Sequence, residues 1–306
     1  RYWEFTPSNE EEFDQLNFNE LFTNSIMEST ISDVGYDCFL SGGLDSSLIA
    51  SITHPSKCWT IGEPNLNNEF QYSQLVSSYL NQDLVKINYD KESFIKNTNE
   101  IIEKRKDVLT VPNETLIYMM SKNIRSNKTK VILCGEGADE LFLGYDRIFG
   151  YFSNNKFDIS IFDELYSYSK GDVEILEEIF KDNKDNPLNI VRKFFFNFHI
   201  KGLLKRVDNM TMLNGIEARV PFLNNNIVDY IERLKPEYLI TKNEPKKILK
   251  DYAINFTNLP KEIIYRKKVG FPVQLENIFN DNSLNRNLSG YEKWFKFNLD
   301  TLKNFI

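Results

Sequence analysis

The run Phe39-Leu40-Ser41-Gly42-Gly43-Leu44-Asp45-Ser46-Ser47 passes from an apolar, β-type stretch through two glycines directly into a helical pattern. That order of residue types builds an anion cradle. Glycine lets the backbone approach a ligand closely, and the first-turn amides of the following helix are donors without intrahelical partners at the positive end of the helix dipole. Ser41, Ser46 and Ser47 add hydroxyl donors, and Asp45 supplies an oxygen ligand for the Mg²⁺ that accompanies pyrophosphate. No lysine stands in the run, which excludes the Walker A type of phosphate loop. A bare Ser-Gly-Gly is more simply a turn with a serine helix cap, whereas Ser-Gly-Gly-x-Asp-Ser after a strand favours phosphate.

A second turn, Cys134-Gly135-Glu136-Gly137-Ala138-Asp139-Glu140, follows the run Lys130 to Cys134 and leads into another short helix. Loops at the carboxyl ends of parallel strands converge on one crevice, so Glu136 and Asp139 are expected to face Asp45 across a bound nucleotide. Glu140 stands where a Rossmann fingerprint requires its third glycine, so that motif is excluded. Acidic residues also suit a helix N-terminus for its dipole alone, and this turn taken singly fits either account. Further along, Glu244 to Ala253 reads as a helix with Pro245 in its first turn. At about 100° per residue, Ile248, Leu249, Tyr252 and Ala253 form its buried face, Lys246 flanks that face beside Ala253, and Lys247 points nearly opposite. Lys246 can therefore reach into a cleft, or snorkel at the edge of the core.

The elements that would position these residues alternate through the first half. Tyr36 to Leu40, Cys58 to Ile61, Leu84 to Ile87 and Lys130 to Cys134 are strand candidates, and Ser46 to Thr53, Asn68 to Leu80, Lys91 to Glu103 and Thr115 to Arg125 carry helical spacing. This pattern predicts an α/β fold, a parallel sheet with helices on both faces. From about Gly150 the strand signal fades, and Val191 to His199 and Ile227 to Leu234 predict a mainly helical half packed on the sheet. No long linker separates 1–150 from 151–306, so the two halves are read as one domain.

With 306 residues, of which 41% are hydrophobic and 26% charged, the chain can bury a sizeable core. A net charge of -7 leaves no general basic surface for nucleic acid. No apolar run approaches the ~20 residues that span a bilayer, and no signal-peptide pattern precedes the first elements. Cys38, Cys58 and Cys134 lie in apolar surroundings without metal-type spacing, and only two histidines could help them. Zinc and disulfides are therefore disfavoured, and the thiols read as buried ones suited to the cytoplasm. Glu10-Glu11-Glu12 reads as a solvated run and Phe194-Phe195-Phe196 as helix core.

Taken together, the chain resembles the synthetase domain of the asparagine synthetase family, whose ATP-pyrophosphatase loop is Ser-Gly-Gly-x-Asp-Ser. Val111-Pro112-Asn113-Glu114, the Gly135 to Glu140 turn with Gly144-Tyr145, and Gly215-Ile216-Glu217-Ala218-Arg219-Val220-Pro221-Phe222-Leu223 match in order. The similarity runs from Arg1 to about Phe279, and Asn280 to Ile306 carries no motif. Arg1-Tyr2-Trp3 resembles the junction after the family's N-terminal glutaminase domain, and a start without methionine suggests that something N-terminal lies outside this sequence.

The resemblance implies an ATP-pyrophosphatase fold and an ATP-dependent amide ligase. In that chemistry a carboxylate attacks the α-phosphorus of ATP, pyrophosphate leaves, and ammonia converts the acyl-adenylate to an amide with loss of AMP. ATP and Mg²⁺ are the implied cofactors. A small-molecule carboxylate, by default aspartate, is the implied acceptor, with ammonia drawn from glutamine by a glutaminase domain or subunit, and a homodimer is expected. Carried over by position, Ser41, Gly42, Gly43, Asp45 and Ser46 hold pyrophosphate and Mg²⁺, and Asp139 completes the metal side. Leu40, Ile61 and Gly135 correspond to adenosine contacts. Glu136 would orient ammonia or accept its proton, and Lys246 would contact phosphate and the developing transition state. Arg219 belongs either to the substrate end or to a structural pair with Glu217. Arg266-Lys267-Lys268, before Gly270-Phe271-Pro272, resembles a basic loop near the family's active site, or is a solvated charge run. A β-lactam-forming branch resembles a pattern with tyrosine at the position of Glu136, so the glutamate argues against it. Amidation of another carboxylate stays open, while a non-catalytic nucleotide-binding subunit is disfavoured by Ser41, Asp45, Glu136, Asp139 and Lys246 occurring together.

Overall fold

A computed structural model describes residues 3–63, 69–167, 173–181, 184–241, 244–267, 273–279 and 288–305. Strands β1 (Tyr36–Phe39), β2 (Cys58–Gly62), β3 (Leu84–Asn88), β4 (Val131–Leu133) and β5 (Glu217–Arg219) form one parallel sheet in the order β3-β2-β1-β4-β5. The chain builds outward from β1 to β3 and then returns to lay β4 on the other side of β1. In an open parallel sheet that reversal opens a crevice beyond the carboxyl ends of the two strands where it occurs. Both glycine turns leave the sheet there, one from β1 and one from β4.

Helices α1 (Gln15–Glu28), α2 (Leu44–Thr53), α3 (Glu69–Leu80), α4 (Lys91–Arg105) and α5 (Asn113–Ser126) precede the short α6 (Ala138–Leu141). The second half adds α7 (Asp146–Phe152), α8 (Ile159–Tyr166), α9 (Val173–Phe180), α10 (Pro187–Phe194), α11 (Ile200–Met212), α12 (Asn225–Arg233), α13 (Lys247–Phe256), α14 (Lys261–Ile264), α15 (Leu275–Ile278) and α16 (Gly290–Lys303). Local signals start several of them: Asp14 caps α1 through Leu16 and Asn17, and Asp90 with Ser93 makes a capping box on α4.

Side chains alternate across the strands, so each strand feeds two cores. Cys38, Cys58 and Leu133 enter a cluster with α1, α2, α12 and α13, while Trp59, Ile61, Ile132 and Cys134 enter another with α4, α5 and α16. The three cysteines are buried and unbridged, and burial pushes the Cys58 and Cys134 thiols up to about 12. Asp37 is a buried carboxylate inside β1, accepting hydrogen bonds from Trp59 Nε1 and Thr129 Oγ1 at 2.8 Å and from Lys57 N at 3.1 Å. Among the described residues no helix is long and apolar enough to cross a membrane.

The structure bears out the mainly helical second half and the buried aromatic run, adds detail to both, and corrects one helix start. The mainly helical half also contributes a strand, β5, whose Glu-Ala-Arg sequence has no apolar alternation and pairs on one side only, as an edge strand. The helix expected over Glu244 to Ala253 starts instead at Lys247, because Lys246 adopts a left-handed conformation with φ 54° and serves as the residue before the first turn. The aromatic run is core, but Phe195–His199 forms a wider π-helical turn that joins α10 to α11. Asn68, expected in α3, lies outside the described residues, as do Arg1 and Tyr2 of the opening motif.

Candidate active site

Beyond β1, Leu40 keeps sheet pairing through its amide to Trp59 O at 2.8 Å, and the chain then turns through Ser41 to Gly43. Gly42 has φ 69°, and a Cβ there would fall 2.5 Å from the backbone of Tyr72, so only glycine lets α3 pack this close. Gly43 sits before the first turn of α2 with no side-chain cap, which leaves the helix amides without a capping group. Ser46 ties the loop to itself, accepting from Ser41 N at 3.2 Å and donating to Gly43 O at 3.3 Å, while Ser47 Oγ donates to Gly43 O at 2.7 Å.

The β4 turn lies against this loop: a Cβ on Gly135 would be 3.2 Å from Asp45 Cβ and 3.3 Å from Ser46 N. Asp45 and Asp139 are brought to a common partner. Lys246 Nζ stands 2.6 Å from both carboxylate oxygens of Asp45 and 2.5 Å from Asp139 Oδ1. These side chains are 8%, 14% and 9% exposed for Lys246, Asp45 and Asp139, so their charges meet in a poorly screened setting. The left-handed backbone of Lys246 costs about 1–2 kcal/mol, and the two carboxylates hold it in place. Gly144 makes room for the group, since a Cβ there would come within 2.0 Å of Asp139 Oδ1 and 2.2 Å of Lys246 Cε.

Glu136 turns to a partner that no motif announced. Its Oε1 accepts from Arg206 Nη2 at 3.1 Å, and Arg206 Nη1 lies 3.4 Å from Asn113 Oδ1. Arg206 is one charged residue on an amphipathic helix, and the only available signal was its place beside the buried Val207 and Met210 of α11. Behind the turn, Glu140 is buried and accepts from Tyr145 at 2.5 Å, while His199 Nδ1 lies 2.9 Å from the Tyr166 hydroxyl. Burial first, then the Asp139 and Glu136 charges, raises Glu140 to about 7. Burial, reinforced by Arg206, lowers His199 to about 4.

The remaining candidates fall in different surroundings. Leu40 and Ile61 are both buried, in opposite cores of the sheet. Arg219 donates to Glu217 at 2.7 Å and to the carbonyls of Ser29 and Ile31 at 3.0 and 2.7 Å, which ties β5 to the segment after α1. Glu114, from the Val111 to Glu114 motif, is buried and gathers Arg105 Nη1, Thr110 N and Thr110 Oγ1 around its carboxylate. Arg266 stacks on Tyr72 at 3.9 Å and donates to Ser41 O at 3.2 Å, whereas Lys268 and Gly270 to Pro272 lie outside the described residues. Among the described residues no trio of His, Cys, Asp or Glu is set to hold a metal. Mg²⁺ commonly uses one or two carboxylates and takes its other ligands from water and substrate phosphates, so the Asp45 and Asp139 pair fits a cation that arrives with a nucleotide.

A family model described as asparagine synthase matches residues 17–289. The chain is similar to the asparagine synthetase (glutamine-hydrolyzing) of Mesocricetus auratus, 27% identical over 98% of this chain and 48% of that protein. It is 28% identical to the protein of the same name from Homo sapiens over 90% of this chain and 46% of the relative, and 28% identical to that of Gallus gallus over 83% and 42%. The chain thus spans about half the length of the curated relatives it matches.

Proposed function

Because the chain belongs to the asparagine synthase family, we propose that it carries the synthetase half-reactions of an ATP-dependent amide ligase, with residues 1–306 as one synthetase domain. A carboxylate, by default aspartate, attacks the α-phosphorus of ATP. Pyrophosphate leaves, ammonia attacks the acyl carbon of the adenylate, and AMP departs with the amide formed. The observation that carries this reading is the Lys246 ammonium bridging Asp45 and Asp139 beside the uncapped start of α2. Such a group meets the needs of a triphosphate, which requires amide donors, a cation and a positioned lysine rather than covalent chemistry.

In this reading Gly42, Gly43, Ser41 and Ser46 receive the pyrophosphate oxygens on backbone and hydroxyl donors. Asp45 and Asp139 would hold Mg²⁺, which supplies charge neutralisation for the leaving pyrophosphate. Lys246, relieved of one carboxylate, turns its ammonium to the phosphate. Leu40, Ile61 and Gly135 border the nucleoside. Glu136 accepts the proton from the attacking nitrogen, close to the acyl carbon. Glutamine as the nitrogen source, a glutaminase domain or subunit as partner, a homodimer and a cytoplasmic location complete the proposal.

The test incubates the chain with ATP, Mg²⁺, ammonium and a panel of carboxylates headed by aspartate, followed by separation of nucleotides and amides. Carboxylate-dependent AMP and pyrophosphate with asparagine is the expected result. AMP with another acid alone keeps the mechanism and moves the substrate, and no AMP with any acid refutes the ligase.

A further inference from the structure

The amides of the β1 turn are not equivalent. Ser41 N–H donates to Ser46 Oγ at 3.2 Å and Gly43 N–H donates to Ser41 Oγ at 3.3 Å, whereas Gly42 N–H makes no hydrogen bond among the described residues. Its direction is set by the other end of the same peptide, because a trans peptide is planar and points its N–H opposite to its carbonyl. That carbonyl, Ser41 O, accepts from Arg266 Nη1 at 3.2 Å. Arg266 follows α14, whose Ile263 and Ile264 are buried in the core that holds α2, and its guanidinium carbon lies 3.9 Å from the centre of the Tyr72 ring. Tyr72 is also the residue whose backbone closes over Gly42, where a Cβ would meet it at 2.5 Å.

From this geometry we infer that Arg266 is a positioning residue for the phosphate loop: stacked on Tyr72, it holds the Ser41 carbonyl so that the Gly42 amide faces an incoming pyrophosphate group. The inference rests on the ligase reading above and adds two residues that tune the same site without touching its ligand. Two effects act in one direction. Fixing the peptide plane removes the turn's freedom to point Gly42 N–H elsewhere, a freedom that glycine at φ 69° otherwise has. A cation on the carbonyl also polarises the peptide, which makes its N–H a stronger donor. A planar guanidinium can lie on a ring while an edge nitrogen donates sideways, which an ammonium cannot reproduce. Tyr72 thus serves twice, as the wall over Gly42 and as the platform for Arg266.

Isotope labelling of serine carbonyl carbons and glycine nitrogens isolates this peptide by NMR, because Ser-Gly occurs only at 41–42 and 289–290. The second pair, at the start of α16, is the internal reference. Inorganic pyrophosphate with MgCl₂ is titrated into the wild-type chain, Arg266→Met, Arg266→Lys, Tyr72→Leu and the double variant, and turnover of ATP with ammonium and the carboxylate panel is measured alongside. In wild type the Gly42 amide proton should move downfield on binding while Gly290 stays. Arg266→Met should weaken pyrophosphate about 10-fold, the scale of one hydrogen bond to a charged group, shrink the Gly42 shift, and raise KM for ATP with KM for the carboxylate unchanged. Arg266→Lys, which keeps the charge without the planar stack, should recover part of the affinity. Tyr72→Leu should match Arg266→Met, and the double variant should be no worse than either, where independent groups would lose about 100-fold. If Arg266→Met does not fold, Arg266→Lys decides the matter by losing about 3-fold in affinity with a smaller Gly42 shift, or by losing neither. An Arg266 variant that binds within about 2-fold of wild type with Gly42 unchanged, additive losses in the double variant, or a wild-type chain that turns over without moving Gly42 overturns the inference while leaving the ligase intact. A wild-type chain that neither binds pyrophosphate nor forms it with any acid instead removes the ligase reading on which the inference stands.

Discussion

Replacing Lys246 with methionine removes one ammonium and leaves Asp45 and Asp139 without their shared partner. The three contacts are short, 2.6, 2.6 and 2.5 Å, and the groups are largely shielded from solvent. Deleting one member of a buried ion pair costs about 3–5 kcal/mol, because the remaining charge stays desolvated. Methionine keeps most of the volume and does not relieve the left-handed backbone, so the electrostatic loss dominates. At about 2 °C per kcal/mol for a chain of this size, Tm falls by about 6–10 °C at pH 7. The same substitution removes the ammonium that competes with a hard cation for Asp45 and Asp139, so millimolar Mg²⁺ should return several degrees to Lys246→Met and move the wild type much less. Scanning fluorimetry with and without MgCl₂ reads both effects. A variant that melts within about 2 °C of wild type, or that gains no more from Mg²⁺ than wild type does, refutes the bridging ammonium.

Gly144→Ala should cost about 1–3 kcal/mol and lower pyrophosphate release at least about 10-fold, since its Cβ collides with Asp139 and Lys246; Gly150→Ala, with nothing within 4 Å, should keep both. Between pH 4.5 and 7 the native state holds a proton on Glu140 that the unfolded chain releases, so this group makes stability fall as pH rises. His199, lowered to about 4, does the reverse between pH 4 and 6.5. Glu140→Gln should therefore expose a rise of about 2–3 kcal/mol across the histidine window in urea titrations, steeper than in wild type, and equal slopes would count against it. The thiols of Cys38, Cys58 and Cys134 should resist an aromatic disulfide reagent at pH 8 until the chain is unfolded, and native labelling would contradict their burial.

The sheet and its crevice were legible because the signals are local: apolar runs ending in glycines, each followed by helical spacing. Strand ends at Phe39 and Leu133 differ from the expected ones by a single residue each. What escaped was set by partners far along the chain. The backbone of Lys246 left the helical region because two distant carboxylates hold its ammonium, a tertiary effect that outweighs the periodicity of Glu244 to Ala253. The role of Arg206 had no motif, because one arginine on an amphipathic helix looks like any solvated charge until Glu136 is seen beside it. Gly144 was visible as a glycine, but its necessity lies in the Lys246 and Asp139 side chains that pass over it.

The bond from Lys246 to Asp45 joins positions 201 residues apart. A ribosome adding about 5–20 residues each second completes the phosphate loop about 10–40 s before it delivers that lysine. Through this interval Asp45, joined about midway by Asp139, waits without the ammonium that pairs with both. Under the proposed ligase reading, the site is complete only once Lys246 and the α13 region have emerged and docked, so an interrupted copy of the chain would lack the ammonium that the proposal sets on the phosphate.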